Sequence, residues 1–95
     1  MSKYKFETDY HSEDRCDAIA RKMVILFNIS KEEAIARVNQ QWKGQSFIND
    51  WTLDHIDTDE WAKNIYWESD SYWWITGETR EQLKLPPLTP KQLRK

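Results

Sequence analysis

Between Trp61 and Ile75 the chain carries four of its six tryptophans and two of its four tyrosines. Rings of this size each bury on the order of 150–250 Å², so the neighbouring elements must be arranged to cover them. The stretch divides in two. Trp61, Ala62, Ile65 and Tyr66 recur at helical spacing behind Thr58-Asp59-Glu60, an N-cap residue followed by two acids suited to the positive end of a helix dipole. A short helix over 59–66 is predicted. Beyond a turn-rich 68–71, residues 71–76 are dense in strand formers and close at Gly77. As a strand this run puts Tyr72, Trp74 and Thr76 on one face and Trp73 and Ile75 on the other, so both faces need cover.

The remaining chain has to supply that cover within 95 residues. A chain of this length makes one domain and buries roughly 60–70% of its unfolded surface. Charged residues make up 32% of it, but the 14% aromatic content argues for a folded core under a polar surface. Fourteen basic and sixteen acidic residues leave a net charge of −2, with no one-sided tract to attract nucleic acid. Cys16, the single cysteine, has no internal disulfide partner, and the start of the chain shows no apolar leader. The longest apolar run, Met23 to Phe27, is too short to span a bilayer. These features lead to the expectation of a cytoplasmic protein without a membrane anchor.

Towards the amino terminus, Tyr4, Phe6, Thr8 and Tyr10 alternate with Lys3, Lys5, Glu7 and Asp9, the period of a half-buried strand over 3–10. Ser12 is an N-cap candidate for a helix over 13–27, whose stripe is Cys16, Ile19, Ala20, Met23, Val24 and Phe27. Ser30-Lys31-Glu32-Glu33 has the spacing of a capping box. It opens a second helix with Ala34, Ile35, Val38 and Trp42 on one face and Arg37, Gln40 and Gln41 outside it, ending at Lys43-Gly44. Residues 45–57 show neither period and read as a packed loop with a short helical turn. Residues 1–82 form the domain and 83–95 a proline-rich arm, extended because its three prolines exclude a helix. That arm either lies over the aromatic core through Leu83, Leu85 and Leu88, frays into solvent, or serves as a ligand for another protein. Together these elements predict an α+β fold: two or three helices on a small antiparallel sheet from 3–10, 71–76 and part of 45–56, around an aromatic-rich core.

Motifs for common enzyme classes are missing. Two glycines cannot build a phosphate loop, and CxxC, HExxH and GxSxG patterns do not occur. His55, Asp57, Asp59 and Glu60, with His11 elsewhere, offer the material for a metal-dependent hydrolase, although the same residues serve equally as a solvated, helix-capping loop. Cys16 lies on an apolar stripe and reads as buried and inert. The rhythm of 23–38 suits a helix-turn-helix with a basic face of Arg21, Lys22, Lys31 and Arg37. Its second helix, however, opens Lys31-Glu32-Glu33, where carboxylates would repel phosphate. No cofactor or metal is implied.

The aromatic block supplies the remaining functional signal. Adjacent tryptophans on opposite faces of one strand, and Trp67 beyond a helix end, exceed what so small an interior accommodates. Exposed Trp and Tyr offer rigid contact area at low entropic cost. The candidate binding surface is Tyr66, Trp67, Tyr72 and Trp73, with Arg37 or His55 as polar partners. Glu33-Ala34-Ile35-Ala36-Arg37-Val38-Asn39-Gln40-Gln41-Trp42, followed by Trp61-Ala62-Lys63-Asn64-Ile65-Tyr66 and Ser71-Tyr72-Trp73-Trp74, resembles small bacterial proteins with no assigned activity. The resemblance spans at most residues 12–75 and implies a bacterial, soluble, single-domain protein without adding a catalytic residue. The expected function is a non-enzymatic interaction or regulatory module acting on a protein partner or as a homodimer. The helix-turn-helix and the small hydrolase are the alternatives.

Overall fold

The computed structural model describes residues 3–48, 51–68, 72–75 and 77–93. Its centre is α1 (Tyr10–Phe27), packed along both α2 (Lys31–Gln41) and α3 (Thr58–Tyr66). Asp9 caps α1, its carboxylate accepting from the Ser12 amide at 2.9 Å, so the helix begins ahead of the expected boundary. Asn28 ends it in the left-handed region at φ 54°. Ser12 is fully buried instead of capping, and its hydroxyl donates to the Phe47 carbonyl at 2.7 Å. Ser30 caps α2 as expected, accepting from the Glu33 amide at 3.0 Å, but the Glu33 carboxylate takes Arg37 at 2.9 Å in place of the return bond of a capping box. Asp57 caps α3, one residue ahead of the expected Thr58, by accepting from the Glu60 amide at 2.9 Å.

The apolar stripes meet between these helices. Cys16, Ile19, Ala20 and Met23 of α1 face Ala34 and Val38 of α2 and Ala62 and Ile65 of α3, with Leu53 from the 3-10 turn Thr52–Asp54 closing one end. Tyr4, Phe6, Trp42 and Phe47 are buried beside them. Trp42 meets Phe47 edge-on at 5.3 Å and Trp61 at 5.4 Å, while Phe6 meets Phe47 at 5.8 Å. Edge-to-face pairs of this kind contribute about 0.5–1.5 kcal/mol each beyond their buried area. The core is therefore aromatic-rich, with Trp42 the tryptophan most deeply placed in it.

The sheet differs from expectation. Among the described residues it consists of β1 (Glu7–Thr8) and β2 (Ser46–Phe47), which run parallel with Glu7 opposite Ser46 and Thr8 opposite Phe47. An antiparallel sheet from 3–10, 71–76 and part of 45–56, with helices laid on it, is not what forms; the chain is mostly helical. The alternation in 3–6 is nonetheless real, because Tyr4 and Phe6 are buried while Lys3 and Lys5 are exposed. The strand's hydrogen bonds are what go elsewhere. The Asn39 side chain on α2 accepts from the Lys5 amide at 2.6 Å and donates to the Lys3 carbonyl at 3.3 Å, standing in for a neighbouring strand. Tyr72–Ile75 forms a tight turn closed by the Ile75 amide on the Tyr72 carbonyl at 3.0 Å. Ser71 and Thr76 lie outside the described residues. A short α4 (Glu78–Gln82) follows.

Asp17 ties the amino-terminal segment to α1, accepting from the Tyr4 hydroxyl at 2.7 Å and pairing with Lys3 at 2.7 Å. Burial disfavours its charged form, but the bonds from Lys3 and Tyr4 outweigh that and hold its carboxyl below the ordinary value. A depressed folded-state pKa contributes stability that is present above the unfolded value of about 4 and lost as pH falls through the folded value. Asp17→Asn is accordingly expected to destabilise the fold at pH 6 and to flatten its loss of stability below pH about 4 in urea denaturation. Ser12→Ala leaves the buried Phe47 carbonyl without its donor and is expected to lower stability by about 1–3 kcal/mol in the same measurement.

Candidate functional site

The rings at the end of α3 and beyond sort into two assemblies. In the inner one, Phe27 at the end of α1 stacks on Tyr66 at 3.9 Å and 6°. Trp67 stands edge-on to both, at 5.4 Å from Phe27 and 4.8 Å from Tyr66. The Arg37 guanidinium lies over the other ring of this stack, 4.7 Å from the Tyr66 centroid. Arg37 is buried, contrary to its expected place outside the helix face, and it donates to Glu33 at 2.9 Å and to the Lys91 carbonyl at 2.6 Å.

That last bond draws in the carboxy-terminal arm. Pro90 forms an antiparallel bridge with Trp67, the Glu68 amide donates to Thr89 at 2.8 Å, and the Lys91 amide donates to Tyr66 at 2.7 Å. Gln40 donates to the Gln92 carbonyl at 3.0 Å, and Lys91 Nζ reaches Gln41 at 3.1 Å. Burial lowers the Lys91 amine's pKa, with Glu68 opposing the shift. The arm is thus held largely by its main chain; of the three leucines that one of its alternatives laid over the core, Leu83 and Leu88 are 58% and 40% exposed and Leu85 is half-buried.

The chain between Glu68 and Thr89 is an excursion whose two ends are hydrogen-bonded together. It carries the outer assembly, in which Trp74 meets Tyr72 edge-on at 5.5 Å and Trp73 at 5.8 Å. Arg80 of α4 fixes this turn from behind, donating to the Tyr72 carbonyl at 2.9 Å, to that of Ile75 at 3.2 Å and to that of Pro86. Tyr72 is held at φ 50°, a strained conformation for a bulky residue. Trp74 and Tyr72 remain 57% and 40% exposed.

Of the residues singled out from sequence, Arg37, Tyr66 and Trp67 come together in the inner assembly and Tyr72 and Trp73 in the outer one. His55 is exposed in the bend before α3 and belongs to neither. Phe27, Trp74 and Arg80 were missed. Phe27 was legible only as the end of a core stripe, and nothing near Arg80 marks its role. Trp51, 61% exposed, forms a further pair with His11 at 4.2 Å.

The alternative chemistries find their residues already engaged. Asp57 caps α3 and Asp59 pairs with Lys22 at 3.1 Å. Among the described residues no three His, Cys, Asp or Glu side chains gather as a metal site. Cys16 is fully buried, and burial pushes its thiol up to about 12. The basic face around α1 and α2 loses Arg37 to the interior and Lys22 to its ion pair, leaving Arg21 and Lys31 on the rim of a cleft of about 400 Å³ that also carries Asp14 and Asp17. No described helix is long and apolar enough to cross a membrane. Comparison of the chain with protein-family models, curated proteins and solved structures finds no match.

Arg37→Met keeps an unbranched apolar stem and removes the guanidinium donors. It is expected to cost about 1.5–3 kcal/mol in denaturation. Hydrogen exchange is expected to report selective loss of protection at the Glu68 and Lys91 amides, while α1 amides keep theirs relative to the new global stability.

Proposed function

We propose that the protein is a non-enzymatic interaction module, acting in the cytoplasm, that engages a partner protein or a second copy through the ledge of Tyr72, Trp73 and Trp74. The observation that carries this reading is the exposure of Tyr72 and Trp74 in a turn fixed by Arg80 and held at a strained Tyr72. Two exposed aromatics in ring contact, on a turn whose carbonyls take two side-chain bonds from Arg80, present a preorganised apolar surface. Rigid Trp and Tyr of this kind are the residues that dominate binding energy at protein interfaces. Tyr66 and Trp67 support the ledge from within, because they hold the neck of the excursion that carries it.

The helix-turn-helix reading is less well supported by the same geometry, since Arg37 is buried, Lys22 is paired, and the remaining Arg21 and Lys31 share their cleft with Asp14 and Asp17. For the hydrolase reading, no three His, Cys, Asp or Glu side chains gather among the described residues; His11 meets Asp54 at 2.6 Å without a third such group. Both leave the exposed ledge without a role.

The test is quantitative retention of a host protein on the immobilised full chain. Tyr72→Ala and Trp74→Ala are expected to change stability by no more than about 0.5 kcal/mol, as exposed positions do. They are also expected to weaken retention by at least about thirtyfold, the loss of a hot-spot contact. Trp51→Ala, exposed in a different pair, should retain the partner as wild type does. Equal retention by all of these variants would remove the ledge as the binding surface.

A further inference from the structure

The groove that holds the carboxy-terminal arm is built to receive extended backbone. Arg37, more than nine-tenths buried, aims its guanidinium at the Lys91 carbonyl, and the Tyr66 carbonyl, the Glu68 amide and Gln40 complete the set. Those four bonds all go to main-chain atoms of Thr89, Lys91 and Gln92. Nothing in them depends on which molecule supplies the arm.

The connector leading into the groove is less comfortable than the groove itself. Lys84 is forced to φ 54°, in the left-handed region that disfavours a side chain. Leu83 and Leu88 stay exposed, and Pro86 and Pro87 favour a straight polyproline path of about 3.1 Å per residue. A connector that straightens gives up the bonds that tie the Leu85 amide and the Pro86 carbonyl to Arg80, relieves the strained lysine and carries the arm away from its own groove. Short strained hinges are where exchange of a terminal element between copies begins.

We propose that two copies of this chain exchange their arms, residues 89–93 of each filling the groove between α2 and the end of α3 of the other. The contacts in the groove are the same in both forms, so concentration and the connector decide between them. Exchange also brings two connectors side by side, where Leu83 and Leu88 of each gain apolar cover. The partner in this interface is a second copy, and the proposal stands independently of what the aromatic ledge binds.

The experiment uses the full chain. Equal amounts of isotope-labelled and unlabelled protein are unfolded in urea, mixed and refolded at about 1 mM, a concentration that competes with short-tether closure. Light scattering is expected to show twice the monomer mass at that concentration and less on dilution. Isotope-filtered spectra are expected to show cross-chain contacts between Lys91 and Tyr66. Lys84→Gly, which removes the strain of the closed connector, is expected to weaken the dimer about tenfold without moving the groove contacts. A chain that stays monomeric at this concentration overturns the proposal. So does a dimer without the Lys91–Tyr66 contact, or one indifferent to Lys84→Gly.

Discussion

A backbone polar group buried without a partner is costly, and a chain with little sheet has few ladders in which to place its amides and carbonyls. Here the Ser12 hydroxyl meets that constraint at the most buried point, taking the Phe47 carbonyl. Arg15 does the same one turn along, donating to the carbonyls of Leu53 at 2.9 Å and Ile56 at 3.0 Å. Trp61 adds an indole donor to Leu53 at 3.0 Å. The irregular segment between α2 and α3 is therefore stitched to α1 by side chains. Phe47 and Leu53 can enter the core only because of it.

The same device explains what the sequence could and could not disclose. Hydrophobic period and cap chemistry are local, so α2 and α3 were readable from Ser30, Ala34 and Val38 and from Trp61, Ala62 and Ile65, with ends within a residue or two. Burial alternation at Tyr4 and Phe6 was readable for the same reason. The identity of the hydrogen-bond partner is not local. Asn39 lies 34 residues from Lys5, and Arg37 lies 54 residues from Lys91. Where a side chain satisfies the backbone, as Asn39 does for Lys3 and Lys5 and Arg80 for the turn at Tyr72–Ile75, strand-like composition produces no sheet. The aromatic block is visible in the sequence as one surface of Tyr66, Trp67, Tyr72 and Trp73, but its division into two assemblies and the cover of Tyr66 by Phe27 and Arg37 depend on how α1 and α2 cross it.

Charge and aromaticity are used differently in this molecule. Part of the abundant charge is occupied at home: Lys3 with Asp17, Arg15 with Asp54, Lys22 with Asp59 and Arg37 with Glu33, while Asp9 and Asp57 serve as caps. The rings are only partly consumed. Tyr4, Phe6, Trp42 and Phe47 are core, Phe27, Tyr66, Trp67 and Trp73 are half-covered, and Tyr72 and Trp74 are exposed. Charges of both signs are spread over the surface with a net of only −2, so the exposed aromatic ledge is the more distinctive chemistry directed outward, which is why the functional reading rests there.

The neck formed by Trp67 and Pro90 makes the segment between them an appendage in the topological sense. Its entry and exit are adjacent, so its length and sequence are uncoupled from the register of the helices, which is set entirely outside it. Such a segment is free to diversify faster than the body that carries it. Related chains would then share the three-helix body and its stitched loop while presenting different surfaces on the same stalk.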